Sequence, residues 1–100
     1  MTSKVRRVIF SPRAESDLRE AWSHLAQRDV RAADRFYDAM SARAESLCIL
    51  PERGSLHEEF GRGIRMLIEG RYLILYRIEL HEVWIARVLH GSRDITKLFT

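Results

Sequence analysis

The sequence is short of cysteine, lysine and proline, and each shortage excludes something. Cys48 is its only cysteine, so no intrachain disulfide can form and no cysteine-based metal site is available. His24, His57 and His81 show neither metal-ligand spacing nor a carboxylate cluster around them, and no metal is expected. No nucleotide-binding signature is present, and no cofactor is expected. No apolar run approaches membrane-spanning length. The start, Met1 to Arg7, is basic, but only Val8-Ile9-Phe10 follows, too short for the core of a secretory signal. These exclusions lead to the expectation of a soluble, cytoplasmic chain. There are no internal repeats, low-complexity stretches or linkers, and 100 residues with 46% hydrophobic content make one domain spanning residues 1–100. A domain this small has modest stability of its own, so a partner that covers apolar surface adds to it.

Lysine is nearly absent. Lys4 and Lys97 are the only two, and the other fifteen of the 17 basic residues are arginine, giving a formal net charge of +3. A guanidinium is a planar, permanently charged fork suited to carboxylate and phosphate. Nucleic-acid contact, docking to an acidic protein and a plain arginine bias in composition all remain open on this ground.

The two prolines punctuate helices. A first strand is expected over residues 4–10, ending in Val8-Ile9-Phe10. Ser11-Pro12 then starts a helix: serine caps it, and the proline ring pre-sets φ where an N–H would have no partner. Glu15 and Asp17 suit the positive end of the helix dipole. Ala14, Leu18, Ala21, Trp22 and Leu25 form one stripe of a 3.6-residue period, so the helix runs to about Gln27. Asp29 can cap a second helix from Val30 to about Ile49, striped by Ala33, Phe36, Tyr37, Met40, Ala44 and Leu47 and stopped by Pro51. So short a turn between two helices implies an antiparallel hairpin. Residues 51–63 read as a loop. Three strand-like runs follow, over residues 64–69, 71–79 and 82–90, with breaks at Glu69-Gly70 and Leu80-His81 short enough for hairpins. The fold class is therefore α+β: an N-terminal strand, an antiparallel helical hairpin, then a three-stranded antiparallel meander.

A sheet covered on one side should alternate apolar and polar residues. Tyr72-Leu73-Ile74-Leu75-Tyr76 and Val83-Trp84-Ile85-Ala86 are instead apolar on both faces. One hairpin cannot cover both. Either a partner or a second copy covers the rest, or the small core wraps both faces of the sheet.

Two segments carry a resemblance. Gly70-Arg71-Tyr72-Leu73-Ile74-Leu75-Tyr76-Arg77, followed by Arg87-Val88-Leu89-His90-Gly91-Ser92-Arg93-Asp94, resembles the C-terminal half of toxins of the ParE/RelE superfamily, and ParE more than RelE. The front of the chain, Ser11 to Leu18 and Leu50-Pro51-Glu52-Arg53-Gly54, is similar too, so the likeness covers nearly the whole chain. The resemblance implies the toxin of a type II toxin–antitoxin pair, involved in plasmid stabilisation. It implies a cognate ParD-like antitoxin as partner, with operator DNA met only indirectly through that antitoxin. ParE-type members are described as inhibitors of DNA gyrase, whereas RelE-type members cleave mRNA on the ribosome. A shared fold does not choose between these, so the site must.

Metal-free RNA cleavage needs a base, an acid and cations for the phosphate. Arg65, Arg87 and His90 are the candidates for that alternative, with Tyr72 and Tyr76 able to stack on bases. Against it, Ser55 to Arg62 carries two acids and no lysine, and residues 91–100 carry no tyrosine, where RelE proper has one. A non-catalytic toxin is therefore expected, with no catalytic residues. Its candidate antitoxin- or target-binding residues are Arg65, Tyr72, Tyr76, Arg77, Trp84, Arg87, Arg93, Leu98 and Phe99. Structural roles compete at several of these: Arg65 and Arg87 as cross-sheet ion pairs, Tyr72 and Tyr76 as core residues with bonded hydroxyls, and His90 as the fixture of a turn. The antitoxin segment that meets this arginine-rich surface is expected to be acidic.

Overall fold

The computed structural model describes residues 5–95. Strand β1 (Arg7–Phe10) leads into helix α1 (Pro12–Ala26) and helix α2 (Val30–Glu45). Strand β2 (Ser55–Leu56), β3 (Arg65–Glu69), β4 (Tyr72–Ile78) and β5 (Glu82–His90) complete one five-stranded sheet in the order β1-β5-β4-β3-β2. The α+β architecture with its helical hairpin and C-terminal meander is as expected. Two features go beyond it. β1 joins the sheet at its far edge, parallel to β5, with Arg7 opposite Glu82 and Phe10 opposite Ile85. The expected loop over 51–63 contains β2, which adds a two-residue edge to β3.

The helix starts follow the capping chemistry. Ser11 caps α1, accepting from the Ala14 N–H at 2.9 Å, and Asp29 caps α2 through Arg31 and Ala32. α2 ends sooner than the Ile49 expected. The Ser46 hydroxyl donates back to the Arg43 carbonyl at 2.6 Å, and Ser46–Cys48 tightens into a 3₁₀ turn. The β3–β4 turn is Gly70-Arg71, one residue later than expected. Glu69 pairs directly with Tyr72, and Gly70 takes the left-handed φ of 60° that a two-residue hairpin asks of its first position.

The core lies between the hairpin and one sheet face. Ala14, Leu18, Met40, Ala44 and Leu47 of the helical layer meet Leu67, Ile74, Tyr76, Val83, Ile85 and Val88. Even-numbered residues of β4 thus face the helices. The opposite face holds a second, smaller cluster of Ile64, Leu75 and Leu89, over which Phe60, Met66 and Ala86 pack. The apolar runs on both faces have an internal cause: the segment before β3 folds back and supplies Phe60 and Ile64 as a partial lid. No helix among the described residues is long and apolar enough to cross a membrane.

Candidate functional site

The site-forming residues gather where β5 outruns its neighbour. β1 pairs β5 only as far as Ile85. There a bulge sets in: Tyr76 faces Ile85, whereas Leu75 faces Arg87, leaving Ala86 unopposed. A bulge bends its strand and re-aims the next side chain. Ser11 anchors it, donating its backbone N–H to the Ile85 carbonyl at 2.9 Å and its hydroxyl to the Ala86 carbonyl at 2.8 Å. Arg87 then turns toward α1 and forms a two-pronged pair with Asp17, Nε to Oδ2 at 2.8 Å and an Nη to Oδ1 at 3.1 Å. Asp17 Oδ2 also accepts the Val88 N–H at 2.9 Å. The Asp17 carboxylate holds the Arg87 guanidinium above its ordinary pKa, against partial burial. Side chains thus take the place of a sixth strand along this edge.

The turn after β5 closes the same region. Asp94 accepts the His90 N–H at 2.9 Å, and the Asp94 N–H returns to the His90 carbonyl at 2.8 Å. His90 Nδ1 accepts the Arg93 N–H at 3.2 Å, so in the neutral ring the proton sits on Nε2. Arg93 pairs with Asp94 at 3.1 Å, and that carboxylate raises the guanidinium's pKa. Tyr72 stacks between Phe36 (centroids 4.7 Å apart) and the edge of His90 (5.3 Å). A pocket of about 140 Å³ results, walled by Arg13, Asp17 and Glu20 of α1, Tyr72, Arg87, Arg93 and Asp94. Three arginines face three carboxylates there, so its charge is balanced.

The other candidates separate from this cluster. Arg65 does not neighbour Arg87: β4 lies between their strands. Its guanidinium reaches the segment before β2, donating to the Gly54 carbonyl at 2.8 Å with Glu52 at 3.9 Å. Tyr76 is fully buried and has no surface to offer a partner. Its hydroxyl donates to the Pro51 carbonyl at 2.6 Å and accepts the Gly54 N–H at 2.8 Å, and burial pushes the phenol's pKa up, keeping it protonated. Arg77 and Trp84 are cross-strand partners, both partly exposed. Arg77 lies over Gly63 and pairs with Glu79 at 3.1 Å. Leu98 and Phe99 lie outside the described residues. Sequence reasoning gives Asp17 only a helix-dipole role, quotes Asp94 within the resembling segment without a partner for it, and assigns no role to Arg13 and Glu20. Nothing in local spacing shows that Asp17 meets a residue 70 positions away.

A helical hairpin on one face of a small mixed sheet, with a charge-balanced pocket at the strand end, defines a compact α+β domain of the toxin fold shared by ParE and RelE proteins. The chain belongs to the ParE toxin family of type II toxin–antitoxin systems, whose family model, described as the ParE toxin of the parDE system, matches residues 8–95. Toxin ParE1 of Caulobacter vibrioides is 32% identical over 86 residues, covering 85% of this chain and 88% of the relative. Toxin RelE1 of the same organism is 33% identical over 85 residues, covering 84% and 91%. A solved structure titled as the chromosomal ParDE TA system from P. aeruginosa superposes with a TM-score of 0.75 at 17% identity, over 86% of this chain and 96% of that one. Family membership implies an antitoxin partner.

Proposed function

We propose that this toxin acts by binding and not by catalysis: it inhibits DNA gyrase through protein–protein contact and is neutralised by a ParD-like antitoxin with an acidic toxin-binding segment. The observation that carries this reading is the engagement of the would-be catalytic cations. Arg65 and Arg87 stand on strands separated by β4, and each is engaged by an oxygen of the protein itself, the Gly54 carbonyl and the Asp17 carboxylate. A phosphate in transit needs convergent, uncompensated cations, and in the strand-end pocket Arg87 is paired with Asp17 and Arg93 with Asp94. His90 is likewise held by its turn. The candidates whose guanidinia, though paired with Glu79 and Asp94, keep surface for an acidic partner are Arg77 beside Trp84 and Arg93. Gyrase is a cytoplasmic target, and the chain is read as cytoplasmic with it. Operator DNA is reached only through the antitoxin.

The test is gyrase supercoiling by the purified protein beside in vitro translation with mapped mRNA ends. Inhibited supercoiling with intact mRNA is expected. Unimpaired supercoiling with ribosome-dependent mRNA cleavage would overturn the reading in favour of a ribonuclease using Arg65, Arg87 and His90.

A further inference from the structure

One flank of α2 carries a row of arginines that neither the core nor the strand-end pocket uses. Arg31, Arg35, Ala39 and Arg43 follow one another at i, i+4 spacing, so their side chains line one ridge of the helix. Arg31 and Arg35 are exposed, and neither guanidinium has a hydrogen-bond or ion-pair partner among the described residues. The row ends at a groove of about 330 Å³ lined by Ala39, Ala42, Arg43, Ser46, Arg53 and Glu69. Arg53 enters it from the segment before β2 and donates to the Ser46 hydroxyl at 2.9 Å. Arg43 Nε is buried there and makes no hydrogen bond; Glu69 meets it only as an ion pair at 3.4 Å. A buried N–H without an acceptor is a donor waiting for one. Two guanidinia thus face one carboxylate in the groove, and two more stand unpaired further along the helix. Like charges one turn apart repel, so a polyanion laid along the row relieves a repulsion that the free chain carries.

The floor of this flank chooses among anionic ligands. An acidic protein segment needs a buried aromatic or aliphatic anchor at the centre of its interface, and here that place is taken by Ala39 and Ala42. A single-stranded nucleic acid needs aromatic platforms for its bases, and none of the residues lining the groove is aromatic. Arginine forks spread over roughly 18 Å of helix, at 1.5 Å per residue from Arg31 to Arg43, suit a stiff line of phosphates. We infer that this flank binds the sugar–phosphate backbone of duplex DNA. Arg43 and Arg53 clamp one phosphate, with Arg53 steered by Ser46, and Arg31 and Arg35 meet phosphates further along. Such contacts read no sequence, so they are separate from operator recognition, which stays with the antitoxin. That the duplex is DNA rests on the gyrase reading, because gyrase works on duplex DNA; the preference for a duplex backbone rests on the flank alone.

The experiment is fluorescence anisotropy of a short labelled DNA duplex of mixed sequence, titrated with the free full chain over a salt series. Binding is expected to be indifferent to sequence and to weaken steeply with salt. Arg31→Gln with Arg35→Gln is expected to weaken it about fivefold, the scale of two exposed charge pairs, and to flatten the salt slope by roughly one per arginine removed. Both side chains are exposed and unpaired among the described residues, so an unchanged melting temperature accompanies the loss. Arg43→Gln gives an independent loss at the groove. Arg19→Gln with Arg62→Gln removes the same charge from exposed positions on α1 and in the loop before β3, and leaves affinity unchanged. An equal loss in the two double variants would overturn the inference, because net charge alone would then explain the binding. So would tighter binding of the single strand or of an RNA duplex of the same sequence. A glutamate/leucine peptide held more tightly than the duplex, and released by the Arg31/Arg35 variant, would make the occupant an acidic protein and overturn it too. The binding is read without gyrase, so the two failures are distinct: supercoiling inhibited by a chain that does not bind DNA would overturn this inference and spare the gyrase reading.

Discussion

Replacing Asp17 with alanine tests the account of the β5 edge most directly. Asp17 accepts three hydrogen bonds there, two from Arg87 and one from the Val88 N–H. Its side chain is 13% exposed and that of Arg87 is 23% exposed. Removing one partner of a well-buried pair costs about 3–5 kcal/mol, because the remaining charge is left without compensation. Water reaches Arg87, which brings the figure to the lower end, ~3 kcal/mol. The lost acceptor for Val88 is part of that sum. In a domain of this size the melting temperature then falls by roughly 12–24 °C. Arg87→Ala costs less, ~1.5 kcal/mol, since Asp17 keeps the Val88 N–H and water can take the freed oxygen. Urea unfolding followed by circular dichroism measures both single variants and the double variant. A coupling energy of ~1–2 kcal/mol is expected from that cycle. An Asp17→Ala protein within about 0.5 kcal/mol of the parent, or additive single effects, would mean that the carboxylate is a solvated surface group and that the edge is held by something else.

Three further outcomes are expected. Gly54→Ala places a methyl 2.7 Å from both the Met66 carbonyl and the Tyr76 hydroxyl, so it should lower stability by ~2 kcal/mol in the same unfolding experiment. Tyr76→Phe removes the acceptor of the Gly54 N–H and the donor to the Pro51 carbonyl; a loss of ~1–3 kcal/mol should come with faster hydrogen exchange at Gly54, and unchanged exchange there would contradict the bond. His90→Ala loosens the turn that the Arg93 N–H makes on the ring, costing ~1 kcal/mol. Growth arrest on expression should persist in it, and full loss of toxicity in a folded His90→Ala protein would count for the ribonuclease mechanism.

Much of this arrangement is legible in the chain because it is local. Ser11-Pro12 and Asp29 announce both helix starts, and the three C-terminal runs separate at their turns. What stays hidden depends on distant partners. The N-terminal strand carries no mark of a parallel pairing with the last one, since Val8-Ile9-Phe10 would suit any buried edge. The sheet's two apolar faces are visible, but not that Phe60 and Ile64 arrive from the loop to cover one of them. Tyr76 and Arg65 look like recognition residues in isolation. Their burial and their bonds to Pro51 and Gly54 follow from the return of the 51–56 segment along β3. Ion pairing is expected of Arg87 from the sequence, yet its acid sits on a helix and not across the sheet, and the bulge at Ala86 is what aims it there.

The parallel pairing of β1 with β5 carries a consequence for synthesis. Translation delivers β1 and the helical hairpin first, and the strand that must lie between β1 and β4 leaves the ribosome after every other strand of the sheet. Until then the hairpin has no β5 to pack on, and Asp17 has neither Arg87 nor Val88 to bind. Such long-range closure is slow and late. A nascent or prematurely terminated chain therefore lacks the whole β5 edge, with the strand-end pocket and the Asp17 contacts, until the last strand is in place.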